Sequence, residues 1–463
     1  MTNNTALFPS FENMDVVENQ LTKKLQKLRS APRGRSATPN NPSETWRSIL
    51  ADFTFDQATS LDELMDWVLS SLDDGIVQMT HPGYLGLFNP APTFPSECAD
   101  RIVSAFNPQI CVWSHAPKAV EIEQHVIRQL TKRIGLPDGA DGHFTSGGAE
   151  ANSTSVLSAL TAKCPEYGEK GVGAFSGRPI IYASAESHLA WFKIAHTAGI
   201  GRQSVRLIST DGAGRMDTAA LEREIKSDIA AGHVPTMIAA TAGTTNAGMV
   251  DPLPECAEIA NQYDVWFHVD AAWGGAIIAC KENRHILAGI EKATSVTIDA
   301  HKWFATTMGA GMFFTSRPNV LAEVFRVKAS YMPESDAQND FYVNSAQWSR
   351  RFVGLRLFLS LGAAGWAGYS DHVNHSIQLI NELTAGLIAC GWTRENDSQM
   401  GVACMTPPEG SGAVQQYVSR VQESGQYWVS VAQFESRPVL RACLTNGRTT
   451  SSDITGLIKL LTK

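Results

Sequence analysis

Between about residues 118 and 316, short runs of almost uninterrupted apolar side chains alternate with longer stretches of helical spacing. The runs are PIIYAS (179–184), TMIAATAG (236–243), VWFHVDA (265–271), SVTID (295–299) and GMFFTS (311–316). Strands this apolar are covered on both faces, and helices between them imply right-handed crossovers. The pattern therefore predicts a mainly parallel sheet wrapped by helices. Upstream, VVENQLTKKLQKL and residues 61–79 (LDELMDWVLSSLDDGIVQM) carry helical spacing on either side of the polar, Pro- and Ser-rich stretch 30–45. From about residue 350, FVGLRLFLSLGAAGWAGYSDHVNHSIQLINELTAGLIACG predicts two helices, and VSVAQFES and VLRACLTN predict two strands. The chain divides on this reading into an N-terminal helical layer (1–84), a large α/β domain (85–350) and a small C-terminal α/β domain (351–463).

The length of 463 residues is more than one hydrophobic core usually serves, in keeping with that division. Net charge is −8 and the basic residues are scattered, which argues against a nucleic-acid partner and for a small solute. The eight cysteines (98, 111, 164, 256, 280, 390, 404, 443) form no C-x-x-C pair, so they are expected to be reduced core residues, with neither a disulfide framework nor a metal site. No apolar run approaches the ~18 residues of a membrane helix. The start MTNNTALFPSFENM lacks a charged leader followed by an apolar segment, and a cytoplasmic protein is expected.

Ligands of parallel sheets bind at the carboxyl ends of the strands, and the unusual polar residues fall there. Asp270 closes the run WFHVD, where a carboxylate without a cation is costly. Lys302 follows the next run in SVTIDAHKW, with little polar sequence around it; desolvation of such an amine favours the neutral, nucleophilic form that imine chemistry needs. The Ser-Gly-Gly turn in HFTSGGAEANSTSVLSAL (143–160) opens a helix and offers free backbone N–H groups to an anion. His188, just after PIIYAS, has a planar ring able to stack on an aromatic ligand. Each has an ordinary reading taken singly: an ion pair or helix cap, a snorkelling lysine, a glycine cap, a structural histidine. Together, anion turn, stacking ring, buried carboxylate and activated lysine suit a phosphorylated pyridine aldehyde, whose protonated ring accepts the electron pair released at a substrate's Cα.

From about residue 80 to its end the chain resembles the group II pyridoxal-phosphate-dependent amino-acid decarboxylases, which have the fold-type I architecture. FTSGGAEAN is similar to their phosphate turn, TAGTTNAGMVDPL to the strand and loop before the aspartate, HVDAAWGGA to the aspartate motif and DAHKW to the lysine motif. The resemblance implies pyridoxal 5′-phosphate held by Gly148 and Ala149 at its phosphate, with His301 beside it. It implies a ring stacked by His188 and lined by Thr245 and Ala272, a ring nitrogen on Asp270 and a covalent imine on Lys302. Arg441 in VLRACLTN would face the substrate carboxylate; its plain alternative is a partly exposed residue that ties the two C-terminal strands. Tyr331 would protonate Cα from a loop, with Tyr342 as the nearby alternative. Tyr84 belongs to the candidate substrate wall HPGYLGLFNP, where Gly83 and Leu85 make it less aromatic, and Asp299 stands where some members carry Asn or Ser. Trp113 and His115 fall in a segment that the family contributes across a dimer interface, so a homodimer with the site at its interface is implied.

The implied reaction is decarboxylation of an L-amino acid to its amine. The same cofactor also supports aldehyde synthesis, transamination or carbon–carbon cleavage, and a non-catalytic cofactor-binding subunit is a further alternative.

Overall fold

Seven strands pair into one sheet in the computed structural model, which describes residues 4–39, 43–327 and 340–463. They are β1 (Asp141–Thr145), β2 (Pro179–Ser184), β3 (Val205–Ile208), β4 (Val234–Thr241), β5 (Trp266–Asp270), β6 (Ser295–Asp299) and β7 (Gly311–Thr315). Their order is β1-β7-β6-β5-β4-β2-β3. Five of them, β6 to β3 in that order, are parallel neighbours, whereas β7 runs antiparallel to both β6 and β1. The mainly parallel sheet is present, and β7 is reversed for a simple reason. Only residues 300–310 join β6 to β7, too few for the helical crossover of about a dozen or more residues that a parallel return requires.

Successive residues of the strands enter different cores, which is why the strands lack polar alternation. Ile180, Tyr182, Ile238, Ala240, Phe267 and Val269 pack on one face with Ile127 and Leu130 of the helix Pro117–Ile134. Ile181, Ala183, Met237, Ala239 and Trp266 pack on the other with Ala151, Val156 and Leu160 of the helix Gly148–Lys163. Strands β1 and β3 escape a search for apolar runs because DGHFT and VRLI are short and carry polar residues.

The C-terminal region forms a second sheet of β8 (Thr393–Arg394), β9 (Val402–Thr406), β10 (Ser430–Phe434) and β11 (Arg437–Cys443), antiparallel in the order β10-β11-β9-β8. Its two expected strands are β10 and β11; β9 and the two-residue β8 add to them. The two helices expected after residue 350 form one run, Gly354–Ile388, broken at Gly365 (φ 64°, ψ 178°). At the N-terminus, the helices Phe11–Ser30 and Leu61–Gly75 are capped by the hydroxyls of Ser10 and Ser60 and bury no side chain fully. Phe8, Phe11 and Phe55 of this region are exposed, by 74% or more. Among the described residues no helix is long and apolar enough to cross a membrane.

All eight cysteines are free, but the expectation that they are core residues holds for only five. Cys98 and Cys164 are half-buried and Cys390 is exposed, because it follows a helix end at the surface.

Candidate active site

The carboxyl ends of β5 and β6 bring Asp270 and Lys302 to one edge of the sheet. Asp270 ends β5, paired with Thr297 of β6 and Thr241 of β4. Its carboxylate is 5% exposed, yet among the described residues no cation lies within ion-pair distance of it. It is held instead by two N–H donors: Asn152 Nδ2 to Oδ2 at 2.9 Å and the Ala272 amide to Oδ1 at 3.1 Å. The Ala272 carbonyl accepts from the Asp299 amide at 2.7 Å and so ties the end of β5 to that of β6.

The antiparallel turn from β6 to β7 lifts Lys302 over the sheet edge and fixes it from below. Trp303 is fully buried, its indole donates to Ser376 Oγ at 3.1 Å, and its carbonyl meets His372 Nε2 at 3.1 Å. The Tyr369 hydroxyl donates to the Phe304 carbonyl at 3.1 Å. Lys302 Nζ lies 2.9 Å from Asp299 Oδ2, and Asp299, 3% exposed, keeps Oδ1 without a hydrogen-bond partner. His301 is buried against the Ala310 backbone, with burial lowering its pKa, and its Nε2 is 4.0 Å from Asp299.

The Ser146–Gly148 turn meets this cluster from β1. Among the described residues the helix Gly148–Lys163 has no side-chain cap; the Glu150 amide donates to the Gly147 carbonyl at 3.1 Å, which leaves the N–H groups of Gly148 and Ala149 open, with the positive end of the helix dipole behind them. A Cβ at Gly148 would sit 2.9 Å from Asp299 Oδ2, and a Cβ at Gly311 would sit 2.5 Å from the carbonyl carbon of Gly147. Only glycines allow the turn, β7 and Asp299 to approach this closely. Glu150 accepts from both the amide (2.8 Å) and the hydroxyl (2.6 Å) of Ser146, which holds the turn's shape.

A wall comes from a sequence-distant pair of segments. Residues 83–86 lie beside 428–443: the Trp428 amide donates to the Gly83 carbonyl, the Leu85 amide to the Trp428 carbonyl and the Cys443 amide to the Leu85 carbonyl, at 2.9, 2.9 and 2.6 Å. Tyr84 stacks on Trp428 with ring centroids 5.5 Å apart, and burial raises the pKa of its phenol. Leu85 turns away into the core of the small sheet rather than forming the wall. Arg441 is 4% exposed, more buried than the partly exposed alternative allows. It donates to the Thr245 carbonyl at 2.6 Å, the Gly86 carbonyl at 2.7 Å and Ser430 Oγ at 3.2 Å.

The remaining candidates are more loosely placed. His188 is exposed beyond the end of β2, and its Nδ1 accepts from the Ala190 amide at 3.1 Å. Trp113 and His115 are exposed on a 3-10 turn; the Trp113 amide donates to Asp340 Oδ1 at 2.7 Å and its indole to Glu121 Oε1 at 3.1 Å. Tyr331 lies outside the described residues. Tyr342 stacks its ring on Trp348 at 5.2 Å. Sequence reasoning passed over Asn152 and His268, although one helical turn sets Asn152 on the face of Gly148, and strand alternation sets His268 on the face of Asp270.

These groups fit a phosphorylated pyridine aldehyde: an uncapped helix start for the phosphate, a buried carboxylate that lacks a cation, and a lysine on the adjoining strand end. A model of the pyridoxal-dependent decarboxylase conserved domain matches residues 44–391. The chain belongs to that family. The decarboxylase is therefore a pyridoxal-phosphate enzyme, a lyase that removes the carboxyl group of an amino acid. It is 29% identical to an aromatic-L-amino-acid decarboxylase of Bacillus atrophaeus over 89% of its own length and 87% of that protein's. It is 31% identical to an acidic amino acid decarboxylase of Mus musculus over 73% of its length and 62% of that relative's. The Oryza sativa TDC structure solved with PLP and tryptamine superposes at a TM-score of 0.92 over 98% of both chains at 22% identity, a likeness that shows the fold-type I architecture.

Proposed function

We propose that the decarboxylase is a cytoplasmic homodimer that converts an L-amino acid to its amine, with Lys302 carrying the cofactor and Asp270 facing its ring nitrogen. The observation that carries this reading is Asp270 itself, a buried carboxylate with two N–H donors and, among the described residues, no cationic side chain in ion-pair reach, beside the strand end that leads to Lys302. Such a group calls for a positive partner.

When bound, the cofactor supplies a protonated ring that takes up the electron pair of the breaking Cα–carboxylate bond. Gly148 and Ala149 offer backbone N–H groups to its phosphate, with His301 alongside. His188 covers the ring, and Thr245 and Ala272 line it. Lys302 would hold the cofactor through Nζ, the atom that a substrate's amine would have to displace. Three of the five guanidinium N–H groups of Arg441 are engaged by protein. The other two face the substrate carboxylate, and Tyr84 walls the pocket. Tyr331 delivers the proton to Cα; the stacking of Tyr342 on Trp348 argues against the alternative.

The exposed aromatic residues of the N-terminal layer support self-association, and Trp113 and His115, exposed on this chain, then serve the partner's site. The two curated relatives of nearly equal identity are named for aromatic and acidic substrates, so the amino acid is to be assigned by assay. Purified protein incubated with each common amino acid is expected to release carbon dioxide and one amine. Lys302→Ala is expected to lose both the visible absorbance of the bound cofactor and turnover; an active Lys302→Ala protein overturns the reading.

A further inference from the structure

Behind Asp270 runs a file of buried polar side chains. The Trp266 indole Nε1 lies 2.8 Å from Ser295 Oγ, Ser295 Oγ 2.8 Å from His268 Nδ1, His268 Nε2 3.1 Å from Asn152 Oδ1, and Asn152 Nδ2 2.9 Å from Asp270 Oδ2. All five residues are buried, among strands β5 and β6 and the helix Gly148–Lys163. Their chemistry leaves one arrangement of protons. An indole N–H only donates and a carboxylate only accepts. Ser295 Oγ takes the indole hydrogen and gives its own to His268 Nδ1. His268 must then carry its proton on Nε2 and give it to Asn152 Oδ1, which turns the amide NH2 toward Asp270.

We propose that Trp266, Ser295, His268 and Asn152 form a one-way hydrogen-bond relay that orients Asp270 toward the cofactor's ring nitrogen. The proposal rests on the assignment of Asp270 to that nitrogen, and it adds four positioning residues, none of which touches the substrate.

Two physical consequences favour a relay over a simple cap. Asn152 occupies one lone-pair site of Oδ2 and the Ala272 amide one of Oδ1, so the carboxylate cannot rotate and its free lone pairs point in a fixed direction. The chain also stays neutral: full burial lowers the His268 pKa to about 4, so the imidazole carries no charge at neutral pH. Aligned donors reinforce one another in a buried file, so even distant Ser295 contributes.

The test uses the full chain, freed of cofactor and reconstituted with pyridoxal phosphate isotopically labelled at the ring nitrogen. Cofactor affinity is read by quenching of tryptophan fluorescence, and ring-nitrogen protonation by the magnetic resonance of the label. Asn152→Leu removes the donor to Asp270 without adding a charge, and is expected to weaken cofactor binding about tenfold and shift the label toward unprotonated pyridine. His268→Phe should act in the same direction by about tenfold, and His268→Gln, which keeps a donor and an acceptor on one side chain, should restore most of the loss. Where His268→Phe does not fold, Ser295→Ala takes its place, with a smaller shift of the label expected. Asp270→Asn separates the two levels of the argument. Relay variants indistinguishable from the parent, while Asp270→Asn changes both readouts, overturn the relay alone; an unchanged Asp270→Asn protein removes the assignment of Asp270 and the relay with it.

Discussion

Arg441 shows what a single side chain does at the junction of the two sheets. Its donors reach Gly86, Thr245 and Ser430, and its guanidinium lies 5.5 Å over the ring of Phe88. Arg441→Met takes the donor from the half-buried Thr245 carbonyl and leaves the buried Gly86 carbonyl with the Ser430 hydroxyl alone, at about 1–3 kcal/mol in all, to which the lost packing on Phe88 adds. A loss of roughly 3 kcal/mol is expected in denaturant unfolding, and Arg441→Lys should recover only part of it because an ammonium cannot match a planar fork. The sequence marks Arg441 as a polar residue in an apolar strand but does not disclose these partners, which lie 196 and 355 residues away. Asp270 and Lys302 were legible for the opposite reason. Asp270 ends a run of apolar residues, from which its burial at a strand end follows, whereas Lys302 stands three residues past the next run and is half-buried.

Among elements, the link between β6 and β7 decides how the site is presented. A helical crossover would place residue 302 at the start of a mobile connection; the antiparallel return pins it between two neighbouring strands. The Ser146–Gly148 turn depends on the same geometry through Gly311. Gly311→Ala places a Cβ 2.5 Å from the backbone of Gly147, where relief requires the turn itself to move. We expect a stability loss of about 3 kcal/mol and cofactor affinity reduced at least about tenfold, measured by thermal unfolding and cofactor titration. The apolar runs predicted β2, β5 and β6 to within a residue, because strands covered on both faces have no polar alternation to blur them. Strands β1, β3, β8 and β9 were missed because their pairing comes from tertiary neighbours rather than local pattern.

At the scale of the whole molecule, two buried groups tilt stability with pH in opposite directions. His268 has a folded pKa of about 4, below the ordinary histidine value, so the unfolded chain takes up a proton that the native state refuses. Stability is full above about pH 6.5 and falls by roughly 3 kcal/mol as pH drops to 4. Asp251 is buried and accepts from the amides of Thr241 (2.7 Å) and Met216 (2.8 Å); burial raises its pKa to about 6. Its protonated form is favoured in the native state, so its share of stability is present below about pH 4 and is lost as pH rises to 6, again by roughly 3 kcal/mol. Unfolding free energies measured from pH 4 to 7 are expected to show Asp251→Asn with a steeper acid loss than the parent and His268→Gln with a shallower one.

The pairing of residues 83–86 with 428–443 has a consequence for synthesis. During translation the segment that carries Tyr84 emerges early, but its hydrogen-bonding partners are added more than 340 residues later. Until then Gly83, Leu85 and Gly86 have no strand to lean on, and Arg441 has not been made. The ribosome therefore finishes the sheet that bears Asp270 and Lys302 well before it supplies the segment on which residues 83–86 pair, and a nascent chain halted before residue 428 holds those two chemical groups with Tyr84 still unstacked and Arg441 unmade.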